Sequence, residues 1–185
     1  MIFFIFVISI LIHEISHIVI GKIFKCKLKK IRILPVGFFI EFKDFYNNNF
    51  IKKILIILAG PVSNFWVAFF WVVFECSRAK EICLINLALG IFNLLPIYPL
   101  DGEHILEIIL KKLYGYKNGE LYAFFISKSF LCVITFIYSC VILKIKNISI
   151  LFVIGFLWYK NFEKEKQIKL EKSAYKVIEK TLFKY

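Results

Sequence analysis

Long apolar stretches separated by short basic connections dominate this chain. The first runs over residues 2–21 and the second over 54–74. A third begins near Ile82, a fourth covers 121–143 and a short fifth covers 148–159. About 20 apolar residues suffice for a helix to cross a bilayer core. The pattern therefore predicts an all-α polytopic membrane protein. Residues 31–42 (IRILPVGFFIEF) are rich in β-branched and aromatic residues around Pro35-Val36-Gly37. They predict a short interfacial β-hairpin. Residues 43–53, with Asn47-Asn48-Asn49, read as a loop.

The third apolar stretch differs from the others. Pro96, Pro99 and Asp101-Gly102 interrupt it. Irregular backbone at membrane depth persists only where it lines a protein cavity, so a broken or re-entrant helix is expected. Residues 104–116 then form an amphipathic helix that reaches the surface at Lys111-Lys112. The end of the chain, 160–185, carries eight Lys and four Glu among spaced apolar residues, with Glu165 and Lys169 one helical turn apart. A helix on the membrane surface is expected there. The expected organisation is a membrane-embedded domain over 1–160 and a basic cytoplasmic tail over 161–185.

Composition agrees with that reading. The chain is 60% hydrophobic, with 22 Phe, and its mean hydropathy is +0.76. An ordinary soluble domain is excluded. The net charge of +12 is read as topology and lipid contact, not nucleic-acid binding. Residues 22–53 carry nine Lys/Arg and the tail eight, whereas 75–81 and 144–147 carry two each. The first two are assigned to the cytoplasm and the others to the opposite side. The opening segment lacks a basic leader and a small-residue cleavage site, so it is read as a retained transmembrane helix and not a signal peptide. The five cysteines (Cys26, Cys76, Cys83, Cys132, Cys140) show no C-x-x-C spacing and are read as small buried hydrophobes.

The chemistry lies in the first apolar run, at His13-Glu14-Ile15-Ser16-His17. Histidines four apart share one helical face and can bind one metal. Glu14 stands beside them, placed to take a proton from water. A catalytic zinc needs three protein ligands and an open position, so a third is required. Asp101 stands out, beside Gly102 in the broken segment. An uncompensated carboxylate in an apolar helix costs roughly 2.5–3.5 kcal/mol on insertion scales, and a metal offsets that cost. His104, three residues on, reads instead as a polar residue of the emerging amphipathic helix.

These residues carry a family resemblance. HEISH resembles the H-E-x-x-H of the site-2 protease family of intramembrane zinc metalloproteases. Asn93-Leu94-Leu95-Pro96-Ile97-Tyr98-Pro99-Leu100-Asp101-Gly102 resembles that family's N-x-x-P…L-D-G motif, and Ala59-Gly60-Pro61-Val62-Ser63-Asn64 its A-G-P-x-x-N signature. The motifs occur in family order between residues 13 and 102.

The resemblance implies one zinc per chain, held by His13, His17 and Asp101, with Glu14 as catalytic base. It implies a substrate or oxyanion role for Asn64, Asn93 and Pro99. The implied substrate is a membrane-tethered protein, the implied activity peptide-bond hydrolysis at the membrane with the site open to the cytoplasm, and a membrane regulator is compatible with it. The compact shape is most similar to the branch containing the sporulation protease that cleaves pro-sigma-K. The short tail leaves no room for that branch's CBS domain, Glu103 stands where many relatives have a second Gly, and no PDZ insertion lies between the helices. Two alternatives remain open from the residues. A CAAX-type membrane zincin would take Glu103 or Glu107 as third ligand. A metal transporter or inactive scaffold would bind metal without hydrolysis. The edge of the 31–42 hairpin is also a candidate for pairing with an extended substrate segment.

Overall fold

The computed structural model describes residues 2–34, 37–43, 49–74, 78–145 and 148–182. The order is α1 (Ile2–Ile23), β1 (Leu28–Leu34), β2 (Gly37–Phe42), α2 (Phe50–Val73), α3 (Ala79–Asn93), α4 (Asp101–Tyr114), α5 (Tyr116–Ile145) and α6 (Ile148–Leu182). The chain divides into two compact units. One holds residues 1–95 and 100–108, the other 96–99 and 109–185.

In the first unit α1, α2 and α3 pack on one another. The α1 helix is patterned inversely to a soluble helix. Its buried positions are Ser9, His13, His17 and Gly21, spaced four apart. Its exposed positions include Phe3, Phe4, Ile8, Leu11, Ile15 and Val19. A helix that shows its apolar side outward and keeps its polar stripe inward is built for lipid. Among the described residues, three helices are long and apolar enough to cross a membrane: Ile2–Ile23, Phe50–Val73 and Tyr116–Cys140. At 15 residues, α3 is only ~22 Å long. It stops where the prolines begin, as the broken third segment predicts.

The strands pair antiparallel, with Ile31 opposite Ile40 and Leu34 opposite Gly37. The expected hairpin is present and begins three residues earlier than its sequence signal. Its turn residues Pro35 and Val36 lie outside the described residues, as do Asn47 and Asn48 of the predicted loop, Glu75 to Ser77, and Lys146. Phe42 anchors the sheet. Its ring lies so close to Gly21 that a Cβ there would overlap it. Cys26, Phe42 and Ile56 form a small buried cluster with Ile20 and Phe24 against it.

In the second unit α5 packs on α6. The buried face of α6 runs Ile154, Leu157, Asn161, Lys164 and Ile168. Trp158 Nε1 donates to Thr135 Oγ1 at 3.0 Å. One expectation is corrected here. The fifth apolar segment and the tail are not separate helices but one helix over Ile148–Leu182. The apolar-to-charged switch at Tyr159-Lys160 changes the helix's surroundings, not its backbone. No proline occurs between Ile148 and Leu182. Ion pairs Lys160–Glu163 and Glu165–Lys169 support the polar turns.

Candidate metal centre

Three side chains meet in the first unit. His13 and His17 come from consecutive turns of α1, and Asp101 from the first position of α4. His13 Nε2 lies 3.1 Å from Asp101 Oδ2. His17 Nε2 lies 3.4 Å from the same oxygen and 3.2 Å from His13 Nε2. Ligand atoms bound to one tetrahedral zinc at about 2.0–2.2 Å stand about 3.3–3.6 Å from one another. The triangle thus has the size of one face of a zinc tetrahedron. Both histidines are buried and Asp101 is half-buried.

The surroundings fit a metal. His17 Nδ1 lies 2.8 Å from the Ile56 carbonyl of α2. Donation there leaves Nε2 with its lone pair toward the triangle, the usual way a ligand histidine is oriented. Gly60 faces the same space. A Cβ added to it would strike Nε2 of both His17 and His13. The glycine of Ala59-Gly60-Pro61 therefore keeps open a cradle beside the ring nitrogens. Gly102 has a comparable reason, since a Cβ there would overlap the Leu94 carbonyl. This close approach tucks the start of α4 under the end of α3, within one unit. In the sequence both glycines are motif members, and only the fold shows what each one clears.

The remaining candidates are placed differently. Glu14 is half-buried, next to His13 on α1. Asn64 is fully buried, one turn beyond Gly60 on α2. Neither its Nδ2 nor its Oδ1 has a hydrogen-bond partner among the described residues. The amide of Asn93 donates to the Leu89 carbonyl of its own helix at 3.0 Å. Pro99 falls in the second unit and is not among the residues of the triangle. Glu103, His104 and Glu107 form a separate group whose ligand atoms lie within 4.8 Å of one another. His104 Nδ1 lies 3.5 Å from Glu103 Oε2. It is Asp101, then, and not Glu103, His104 or Glu107, that meets the two histidines.

Comparison with known proteins agrees. The model of peptidase family M50 matches residues 1–80 and 79–135. Stage IV sporulation protein FB of Bacillus subtilis is 29% identical over 117 residues, which are 60% of this chain and 41% of that protein. A zinc metalloprotease of Methanocaldococcus jannaschii is 28% identical over 185 residues, 95% of this chain and 52% of that protein. The chain thus spans about half, or less, of the length of these curated relatives. The solved site-2 protease from Methanocaldococcus jannaschii superposes with a TM-score of 0.68 at 27% identity, covering 87% of this chain and 76% of that one. The expected fold class, a site-2 protease-like helical membrane protein, stands. The family is one of membrane zinc metalloproteases, and His13, His17 and Asp101 are a candidate site for the metal. This chain belongs to peptidase family M50, the site-2 proteases.

Proposed function

We propose that this chain is an intramembrane zinc metalloendopeptidase that cleaves a membrane-tethered protein. The observation that carries the reading is the His13–His17–Asp101 triangle, at tetrahedral spacing and beside a glycine cradle. His13, His17 and Asp101 would hold one zinc. Zinc supplies Lewis acidity toward the scissile carbonyl and the attacking water. The Glu14 carboxylate accepts the water proton and passes it to the leaving nitrogen. Asn64, whose buried amide lacks a partner among the described residues, would donate to developing negative charge on the carbonyl oxygen. Asn93 joins it once its amide leaves the Leu89 carbonyl. Pro99 is proposed as a substrate-side residue on its motif position alone. The substrate must be unwound at the scissile bond, since a helical peptide keeps its carbonyl in the i→i−4 ladder.

Residues 1–160 form the protease domain in this reading, and 161–185 the basic cytoplasmic tail. The site opens to the cytoplasm, in line with the nine Lys/Arg of 22–53. A regulatory protein such as a pro-sigma factor is the proposed substrate class, in keeping with the sporulation relative. The position of Asp101 argues against Glu103 or Glu107 as third ligand of this centre. In the deciding experiment, Glu14→Gln keeps one zinc per chain and loses cleavage of a co-expressed membrane-tethered substrate. Proteolysis at the wild-type rate by that variant would refute the role of Glu14.

A further inference from the structure

The α5–α6 pair of the second unit carries a layer of charge at one height. Lys128 Nζ of α5 lies 2.9 Å from Glu165 Oε2 of α6. Lys169 Nζ lies 2.8 Å from Glu165 Oε1, the other oxygen of the same carboxylate. Two ammonium groups thus share one carboxylate, and the group keeps a net positive charge. An ammonium has three N–H donors, and each lysine gives one of them to Glu165.

Helix length sets the height of this layer. Lys128 stands ~25 Å along α5 from Ile145, and Glu165 ~25 Å along α6 from Ile148, at 1.5 Å per residue. Those two ends are joined through Lys146-Asn147, a polar connection that belongs at a membrane face. A hydrocarbon core ~30 Å thick then brings the charged layer close to the opposite boundary, and long lysine side chains reach the headgroups beyond it. The sequence of α6 agrees, since it turns polar from Lys160 onward.

The same groove continues toward the hydrocarbon. On α6, Trp158, Phe162, Glu165 and Lys169 follow at spacings of four, three and four, which is one face of a helix. The Trp158 and Phe162 rings lie 5.8 Å apart, and Phe162 is exposed. Trp158 Nε1 donates to Thr135 Oγ1 at 3.0 Å, and Thr135 lies two turns from Lys128 on α5. One stripe therefore offers an aromatic wall at acyl-chain depth and two cations at headgroup depth.

We propose that this stripe binds one anionic phospholipid, with its headgroup phosphate between Lys128 and Lys169 and an acyl chain along Trp158 and Phe162. A phosphate diester accepts charge-assisted hydrogen bonds from both ammonium groups, and Glu165 is the anion it competes with. A phosphatidylcholine headgroup carries a cation of its own, which the lysines repel. The site thus selects lipid by charge.

The test uses the full-length chain with Trp66→Phe and Trp71→Phe, which leaves Trp158 as its one tryptophan. In phosphatidylcholine bilayers its fluorescence is quenched by dibrominated phosphatidylglycerol or, in parallel, by dibrominated phosphatidylcholine. The ratio gives the relative affinity of the two lipids at the stripe. One lysine near anionic lipid amounts to ~5-fold in binding, so this parent should prefer phosphatidylglycerol ~5-fold. The Lys128→Met, Lys169→Met double variant should show no preference. Glu165→Gln removes the competing carboxylate and should raise the preference by a further ~5-fold. A fall in that variant would mark the three charges as a structural ion cluster and overturn the proposal. Lys160→Met, whose lysine pairs with Glu163 off the stripe, should leave the preference unchanged; a loss there as large as at Lys128 would mean diffuse charge and overturn the site. Equal quenching of the parent by the two lipids, or a preference that survives loss of both lysines, overturns it as well. So does a preference abolished by excess inorganic phosphate at constant ionic strength, which would mark a site for soluble anions. The single variants Lys128→Met and Lys169→Met, each expected to lower the preference, decide if the double variant does not fold.

Discussion

At the scale of single residues the centre depends on two kinds of side chain, those that donate and one that is missing. His13 and His17 were legible at once, because a spacing of four on a helix has one geometric meaning. Asp101 lies 88 positions from His13. No periodicity links such residues; Asp101 stands out as a carboxylate in a broken apolar segment, and the motif around Asn93–Gly102 adds its implied role as ligand. Gly60 was the least legible. A glycine in an apolar helix reads as a packing residue, and only the folded chain brings it against two imidazole nitrogens. This gives a sharp prediction. Gly60→Ala should fold with normal helix content and lose at least ~90% of its zinc, as a site whose metal position is filled by a methyl group cannot assemble a tetrahedron. Metal analysis of the purified variant checks it, and a full zinc equivalent would mean the cradle is not the metal's place. A paired measurement separates the carboxylates. Asp101→Ala should lose zinc, whereas Glu107→Ala should retain it.

At the scale of elements, the hairpin and α6 teach opposite lessons. The hairpin was readable because β-branched and aromatic residues flank a Pro-Val-Gly turn signal, and the register follows from it. Both outer edges are without a partner strand among the described residues, the condition for pairing with an extended chain. Proline placed on such an edge removes a ladder donor. Ile31 and Ile40 are a non-hydrogen-bonded pair of the ladder, with their N–H groups on the outer edges; proline at one or the other should therefore slow cleavage severalfold on one edge only, with zinc content unchanged. Equal, unaltered rates on both edges would exclude strand pairing with substrate. In α6 hydropathy changes at Lys160 and helix-forming tendency does not, so the pattern divides what the backbone joins. Its polar part carries a titratable support. Hydrogen bonds from Lys169 and then Lys128 hold Glu165 below the usual carboxylate range. A depressed folded pKa means the stabilisation is complete above the ordinary glutamate value and fades as pH falls toward the folded one. Glu165 is half-buried but its partner Lys169 is exposed, so the effect is small and screened by salt. Melting temperature at low ionic strength should fall more steeply below pH ~4.5 in wild type than in Glu165→Gln, near the ordinary glutamate pKa. Parallel curves would remove the pairs from the stability of this helix.

At the scale of the whole molecule, charge and hydropathy made the membrane class legible, while the hydrogen bonds that Ser127 and Asn161 make to Tyr98 left no trace in the sequence. These residues are 29 to 63 positions apart and match no motif, and a lone Ser or Asn in an apolar helix is ordinary. Sidedness, by contrast, can be argued from position. His13 sits ~15 Å along α1 from Ile23, at 1.5 Å per residue, and His17 is nearer. The end at Ile23 leads into the basic connection, which favours the cytoplasmic side. A hydrolase in this position draws its water from whichever face its cleft meets, and the metal is reached from that same face. In the proposed orientation, a membrane-impermeant chelator added to inverted vesicles, which expose the cytoplasmic face, should strip zinc within minutes to hours. Sealed vesicles of the opposite orientation should keep it until detergent is added. The reverse pattern would turn the bundle over and move the proposed substrate to the other side of the membrane. Equal stripping from both would mean that the cleft is open to both faces and would overturn the proposed sidedness.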